Sequence, residues 1–306
     1  MALARSAQAA GVEIRGGAAV REICIDDGRV RGVTLESGEE RAADLVVSSA
    51  DPAQTFLRLC DSAALPKPFV RALGTIDYRS PVLKLNLALD RLPRFRLRDR
   101  EQAPLGGTIH IGALDLDALD RAFDDARAGQ VSELPLVELT LPSVLDPSLA
   151  PEGRHTASIF AQYAPVRPPE DPAWPTLRDR ARDQVLASIE RVAPGFGDSI
   201  RELEVLAPPD LESIFALTGG NIFHGAMTPD RLLFQRPVPD FARYATPVEG
   251  LWLCGAGTHP GGGVMGACGR NAALEILRRE RRRHARVRSN DRTRRAALDG
   301  SSEAGV

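Results

Sequence analysis

Between Gly250 and Leu277 the chain reads GLWLCGAGTHPGGGVMGACGRNAALEIL. A short apolar run, Leu251 to Cys254, enters a loop carrying Gly255, Gly257, Gly261, Gly262, Gly263, Gly266 and Gly269. Helical spacing follows through Ala272, Ala273, Leu274, Ile276 and Leu277. Glycine presents backbone N–H groups with no Cβ to hold a ligand away. The N-terminus of the following helix adds partial positive charge, which suits an anionic or electron-rich group. A ligand-free strand-to-helix crossing is the plainer reading, but seven glycines exceed what a turn needs. The stretch therefore predicts a strand, a cofactor-holding loop and a helix.

Gly261, Gly263 and Gly266 fit the G-x-G-x-x-G pattern of a dinucleotide fold, but in the wrong setting. That fingerprint needs its first glycine directly after the strand and an acidic residue about 20 positions on. Here six residues separate Cys254 from Gly261, and Arg281, Arg282 and Arg283 lie downstream instead of a strand. A nicotinamide site at this pattern is rejected.

Taken as a whole string, the segment resembles the C-terminal signature of the phytoene desaturase-like FAD oxidoreductases. Within that group it is most similar to the branch of pyridine nucleotide-disulfide oxidoreductase domain-containing proteins. The strand, GAGTHPGGGV and the GRNAA helix start carry the resemblance. It extends upstream through Gly219, Gly220, Asn221, Ile222, Phe223, His224 and Gly225 to Arg236 and Pro237. The N-terminal part, GVEIRGGAAVREICIDDGRVRGVTLESGEERAADLVVSSADP, resembles the middle FAD-domain segment of the same family. The likeness covers about Leu3 to Leu277 and is weakest in the middle.

The resemblance implies an α/β fold with a Rossmann-like FAD-binding domain into which an α+β substrate domain, an antiparallel sheet flanked by helices, is inserted. Relatives open with a βαβ unit whose first turn holds the FAD pyrophosphate. Here Met1 leads instead into a helical stretch (Ala2, Leu3, Ala4, Ala7, Ala9, Ala10) and then Val12, Glu13 and Ile14. The expectation is an incomplete FAD-binding domain, the C-terminal portion of a longer flavoprotein, with an N-terminal unit lost, omitted or supplied by a separate chain.

Residues 1–74 are expected to form the middle segment of the FAD-binding domain. Strand-like alternation runs over Val20–Ile25, Val30–Leu35 and Asp44–Ser49, with turns at Asp26-Asp27-Gly28 and Ser37-Gly38. Leu45-Val46-Val47 is a short apolar run, as expected of a strand buried on both faces. Asp51-Pro52 ends it, and a helix with Phe56, Leu57 and Leu59 follows. Residues 75–227 are expected to be the substrate domain, with strands over Val82–Leu89, Val137–Leu141, Thr156–Ala161 and Ile200–Leu206. Leu177, Ala181, Val185, Ile189 and Val192 have helical spacing, and Pro194-Gly195 stops the helix. Residues 228–280 would complete the FAD-binding domain, and 281–306 would be a basic, disordered tail.

By resemblance, the backbone around Gly255, Ala256 and Gly257 faces the ribityl and pyrophosphate portion of FAD, and Gly261, Gly262, Gly263, Val264 and Met265 run along the ring system. The helix beginning near Gly266 would aim its dipole at the pyrimidine side of the flavin, where negative charge collects on reduction. Ala256 stands where many relatives carry an acidic residue for the ribityl hydroxyls, so that contact falls to backbone or water. Val20 matches a valine whose backbone pairs with adenine, or else is a plain strand residue. His259 in the loop and His224 in the GGNIFHG segment are candidate proton relays, against the blander reading of loop-stabilising histidines. His110, His155 and His284 show no metal-ligand spacing, and no metal site is expected. No G-x-S-x-G elbow or P-loop occurs, which disfavours hydrolases and nucleoside triphosphatases.

The four cysteines, Cys24, Cys60, Cys254 and Cys268, form no C-x-x-C pair, which argues against a redox disulfide, a zinc site and a secreted framework. Cys268 reads as a small buried hydrophobe. A reducing compartment follows, with the cytoplasm as default and the mitochondrial matrix as the alternative for a eukaryotic chain. No apolar run approaches a membrane span. Net charge is −2, yet Arg278–Arg295 carries ten arginines against Glu280 and Asp291. Without interleaved aromatics this run reads as a solvated helix end, not a nucleic-acid surface. The functional expectation is an FAD-dependent oxidoreductase moving a hydride to or from an apolar small-molecule substrate, the fragment alone being inactive. The alternative is a non-catalytic regulatory or scaffold protein on a decayed flavoprotein fold.

Overall fold

The computed structural model describes residues 2–96, 105–112 and 115–283. His284 and the basic run beyond it lie outside the described residues. The strands in chain order are β1 Val20–Asp26, β2 Arg29–Leu35, β3 Glu40–Ala42, β4 Val46–Ser48, β5 Val82–Leu89, β6 Ile109–Gly112, β7 Leu136–Thr140, β8 His155–Gln162, β9 Ile200–Leu206 and β10 Leu251–Leu253. The α-helices are α1 Ala2–Ala9, α2 Lys67–Leu73, α3 Leu116–Arg127, α4 Pro142–Leu145, α5 Trp174–Val192, α6 Pro208–Phe215 and α7, residues 267–283. The chain divides into two compact units: residues 1–76 with 227–306, and residues 77–226.

In the first unit β1, β2 and β3 form an antiparallel sheet. Asp27 and Gly28 both take positive φ, 48° and 69°, so the β1–β2 connection is a tight turn whose twist matches its strands. Ile23 and Val30 point into a core with Phe56, Phe69, Leu73, Val238, Val248, Leu251 and Leu253. Phe56 and Phe69 meet edge to face at 4.9 Å, an arrangement the ring quadrupoles favour.

The parallel pair β4–β10 joins chain segments some 200 residues apart, with Val46 opposite Leu251, Val47 opposite Trp252 and Ser48 opposite Leu253. The ladder continues to the mouth of the glycine loop, where Cys254 N–H donates to the Ser48 carbonyl at 2.9 Å. One sequence expectation fails here. Leu45 and Val47 are 38% and 41% exposed, so β4 is not buried on both faces. Among the described residues its only strand neighbour is β10, and its outer face is only partly covered. At the other end of the unit α7 extends through residue 283, into the basic run.

In the second unit a five-stranded antiparallel sheet has the order β6-β7-β8-β5-β9. One face carries Leu83, Leu85, Leu87, Leu89, Val137, Leu139, Ala157, Ile159 and Ala161, all buried. Against it packs the apolar stripe of α5: Leu177, Ala181, Val185 and Ile189. The opposite face is polar, with Lys84, Asn86, Glu138, Thr140 and Ser158. Lys84 Nζ donates to Ser158 Oγ, and burial pushes the Lys84 ammonium below its usual pKa.

Candidate cofactor-binding site

The loop between β10 and α7 is held by side chains that reach its carbonyl oxygens from within the unit. Thr258, 1% exposed, folds back so that its N–H and Oγ1 both donate to the Gly255 carbonyl, at 3.0 and 2.8 Å. Arg236, 3% exposed, donates from Nε and Nη2 to the Ala256 carbonyl at 3.0 and 2.9 Å. The Cys268 thiol lies 3.5 Å from the Thr258 carbonyl and 3.2 Å from the Gly261 carbonyl, and its single hydrogen is shared between them, with Gly261 the nearer acceptor. Tyr244 Oη donates to the His259 carbonyl at 2.7 Å.

A trans peptide plane points its C=O and N–H in opposite directions. Fixing the carbonyls of Gly255, Ala256, Thr258 and Gly261 therefore turns the N–H groups of Ala256, Gly257, His259 and Gly262 the other way. Among the described residues none of these four amides, nor those of Gly261 and Gly263, donates to any acceptor. Ala256, His259 and Gly262 are half-buried and Gly263 is exposed, so these N–H groups are open to solvent or to an acceptor-rich ligand. His259 Nδ1 adds a buried ring nitrogen without a hydrogen-bond partner.

Glycine is required at two of these positions for backbone reasons. Gly261 has φ +109° and Gly263 φ +148°, conformations that side-chain-bearing residues rarely adopt. Beyond them Val264, itself at φ +55°, is fully exposed and Met265 is 60% exposed, an unusual setting for two apolar side chains in series. The loop ends at Gly266, whose carbonyl accepts from Arg270 N–H at 3.0 Å in the first turn of α7.

Burial pushes the Tyr244 phenol above its usual pKa, against the hydrogen bond from Asn271 that pulls it down, so the phenol stays a donor. Burial, with the neighbouring Cys268 adding to it, likewise raises the Cys254 thiol. Cys268 does more than fill space: it is buried, as expected of a small hydrophobe, and its thiol hydrogen is also shared between two loop carbonyls.

Gly255, Ala256, Gly257, His259, Gly261, Gly262 and Gly263 share one loop, four of whose carbonyls are held by hydrogen bonds within the unit, and the exposed Val264 and Met265 follow them. Val20 lies elsewhere in the same unit, at the first position of β1 and opposite Leu35, outside this hydrogen-bond network. His224 belongs to the other unit, in a turn built around buried Asn221. Asn221 Oδ1 accepts from the N–H groups of Phe223 and Gly225 at 3.0 and 3.3 Å, and its Nδ2 donates to the Arg79 carbonyl at 3.2 Å. The sequence reading missed Thr258, Tyr244 and the role of Arg236, because their partners are carbonyl oxygens of a loop whose path no side-chain pattern records. Among the described residues no cluster of three or more metal-ligating side chains occurs, and no helix is long and apolar enough to cross a membrane.

Residues 2–277 match the family of flavin-containing amine oxidoreductases. The chain is 45% identical over 284 residues to the mouse pyridine nucleotide-disulfide oxidoreductase domain-containing protein 2, covering 90% of this chain and 49% of that protein. It is 29% identical over 293 residues to the hydroxyneurosporene desaturase of Cereibacter sphaeroides, covering 90% of this chain and 52% of that enzyme. An oxidoreductase from Methanosarcina mazei shares the fold with a TM-score of 0.55 at 20% identity, over 90% of this chain and 52% of its own. The chain thus spans about half the length of the curated relatives it matches. It belongs to the flavin-containing amine oxidoreductase family, within its phytoene desaturase-like group, and FAD is the cofactor of that family.

Proposed function

We propose that this chain is the part of an FAD-dependent oxidoreductase that holds the flavin half of the cofactor and shapes the substrate site. The carrying observation is the row of unpaired amides at Ala256, Gly257, His259, Gly261, Gly262 and Gly263, set above carbonyls that buried side chains hold inward. Such a surface fits the oxygen- and nitrogen-rich edges of FAD, and the unpaired His259 Nδ1 gives it one side-chain contact. In this reading Gly255, Ala256 and Gly257 face the ribityl and pyrophosphate portion, and Gly261 to Met265 lie along the ring system. Val20 faces the adenine side.

FAD, once bound, supplies hydride transfer, while the protein orients it and tunes its electronics. The reaction proposed is hydride transfer to or from an apolar small molecule. The likeness to a desaturase and the exposed apolar pair Val264–Met265 at the rim support that choice. Residues 77–226 would be the substrate domain, with His224 and His259 as candidate proton relays. The partly covered outer face of β4 supports a further βαβ unit packing there, within the same protein or as a partner chain.

The test is an absorbance scan of the whole natural protein after saturation with FAD and gel filtration. The proposal requires a flavin spectrum at one FAD per chain, bleached on anaerobic addition of an apolar polyene or terpene that is dehydrogenated. A colourless protein would favour a scaffold role instead.

A further inference from the structure

Arg236 is buried within the first unit and gives two donors to a single backbone oxygen, that of Ala256. Its Nε also lies 3.7 Å from where a side chain on Gly261 would begin, so the guanidinium sits behind both limbs of the loop. Burying a guanidinium is costly unless its donors are used, and a backbone carbonyl far from any helix end is an uncommon place to spend two of them. The two bonds instead fix the orientation of one peptide plane, the plane whose outward N–H belongs to Gly257. The side chain also brings a permanent positive charge to the back of an amide-lined surface, where an anionic group in front would feel it through little intervening water.

We infer that Arg236 is a positioning residue for the cofactor: it aims the Gly257 amide and supplies the charge that lets the loop accept an anionic part of FAD. The inference rests on the proposed function and adds a residue that does not itself line the amide surface. Lysine could keep the charge but not the planar two-point grip. Methionine would keep much of the bulk and lose both. Cys268 offers an independent check on the same principle, since its thiol holds the Gly261 carbonyl and so aims the Gly262 amide.

The experiment compares wild type, Arg236→Lys, Arg236→Met, Cys268→Ser and Cys268→Ala in the whole natural protein. FAD affinity is read by fluorescence titration, and the rise in Tm that saturating FAD produces is read beside the Tm of each apo form. The expected result is an FAD Kd raised at least tenfold in Arg236→Met, with a smaller FAD-induced rise in Tm. Arg236→Lys should fall between the two, and Cys268→Ser should retain affinity that Cys268→Ala loses. A residue that merely supports the fold would lower apo and holo Tm alike and leave the FAD-induced rise unchanged. If Arg236→Met does not fold, Arg236→Lys and the Cys268 pair decide: wild-type Kd in Arg236→Lys and Cys268→Ala overturns the inference. Equal FAD binding by wild type and Arg236→Met contradicts the role of Arg236 alone. Failure of wild type to bind FAD contradicts the proposed function as well.

Discussion

The Tyr244 phenol donates to the carbonyl oxygen of His259 at 2.7 Å, joining a small aromatic core to the glycine loop. Tyr244 is 7% exposed and packs with Trp252 of β10 and Ala272 of α7, so strand, loop and helix share one anchor. Tyr244→Phe keeps the ring and removes the donor. It should cost about 1 kcal/mol of stability, the usual worth of such a bond. Calorimetry would show this as a drop in Tm, and FAD titration should show a several-fold weaker Kd as the loop loosens.

Alkaline stability should depend on Cys60. Burial pushes its thiol from 9.0 up to about 12 in the folded chain, while the unfolded chain keeps the ordinary value. A folded pKa above the unfolded one contributes stability that is complete below about pH 9 and is lost as pH rises toward 12. Urea midpoints measured from pH 8 to 11 should fall with pH, and Cys60→Ala should flatten that fall while lowering the midpoint at pH 8.

Much of the fold is legible in the sequence where apolar periodicity is unbroken. β5 reads directly, because Leu83, Leu85, Leu87 and Leu89 alternate onto one face, and α5 reads from Leu177, Ala181, Val185 and Ile189. Six elements escape that reading: the short helices α2, α4 and α6, and three others for separate reasons. β6 has only four residues, and β3, Glu40–Ala42, is wholly exposed. α3 buries only Ala118, Ala122 and Ala126, a stripe too weakly apolar to stand out. The exposure of β4 has another cause: Leu45-Val46-Val47 is apolar enough for a two-sided strand, but among the described residues β10 is its only strand neighbour. At the candidate site the glycines announce the loop. The donors that shape it, Arg236 and Tyr244, come from an irregular stretch of 3₁₀ turns and coil where periodicity says nothing.

Gly261 should tolerate no side chain. At φ +109° a Cβ is strained by about 1–3 kcal/mol, and it would also meet Met227 Cε at 2.6 Å. The methionine end can shift, so backbone strain is the larger effect. Gly261→Ala should retain the far-UV circular dichroism of wild type and lose at least tenfold in FAD affinity. An unchanged Kd would show that the loop's backbone path does not matter for binding.

The second unit should have its own stability determinants. Leu85 is fully buried in the middle of β5, between β8 and β9, so Leu85→Ala should cost about 2–5 kcal/mol through lost burial and the cavity left behind. Limited proteolysis should then cut first within residues 77–226, leaving the first unit protected. Lys84 has a folded pKa below its ordinary value, so stability should rise as pH climbs toward 10.5, and Lys84→Met should remove that rise.

FAD should lie on the amide row of the glycine loop. An experimental structure of the whole protein with FAD bound should place cofactor oxygens or ring nitrogens about 2.7–3.2 Å from the N–H groups of Ala256, Gly257 and Gly262. Those amides donating to neighbouring protein, with FAD bound at another surface, would contradict it.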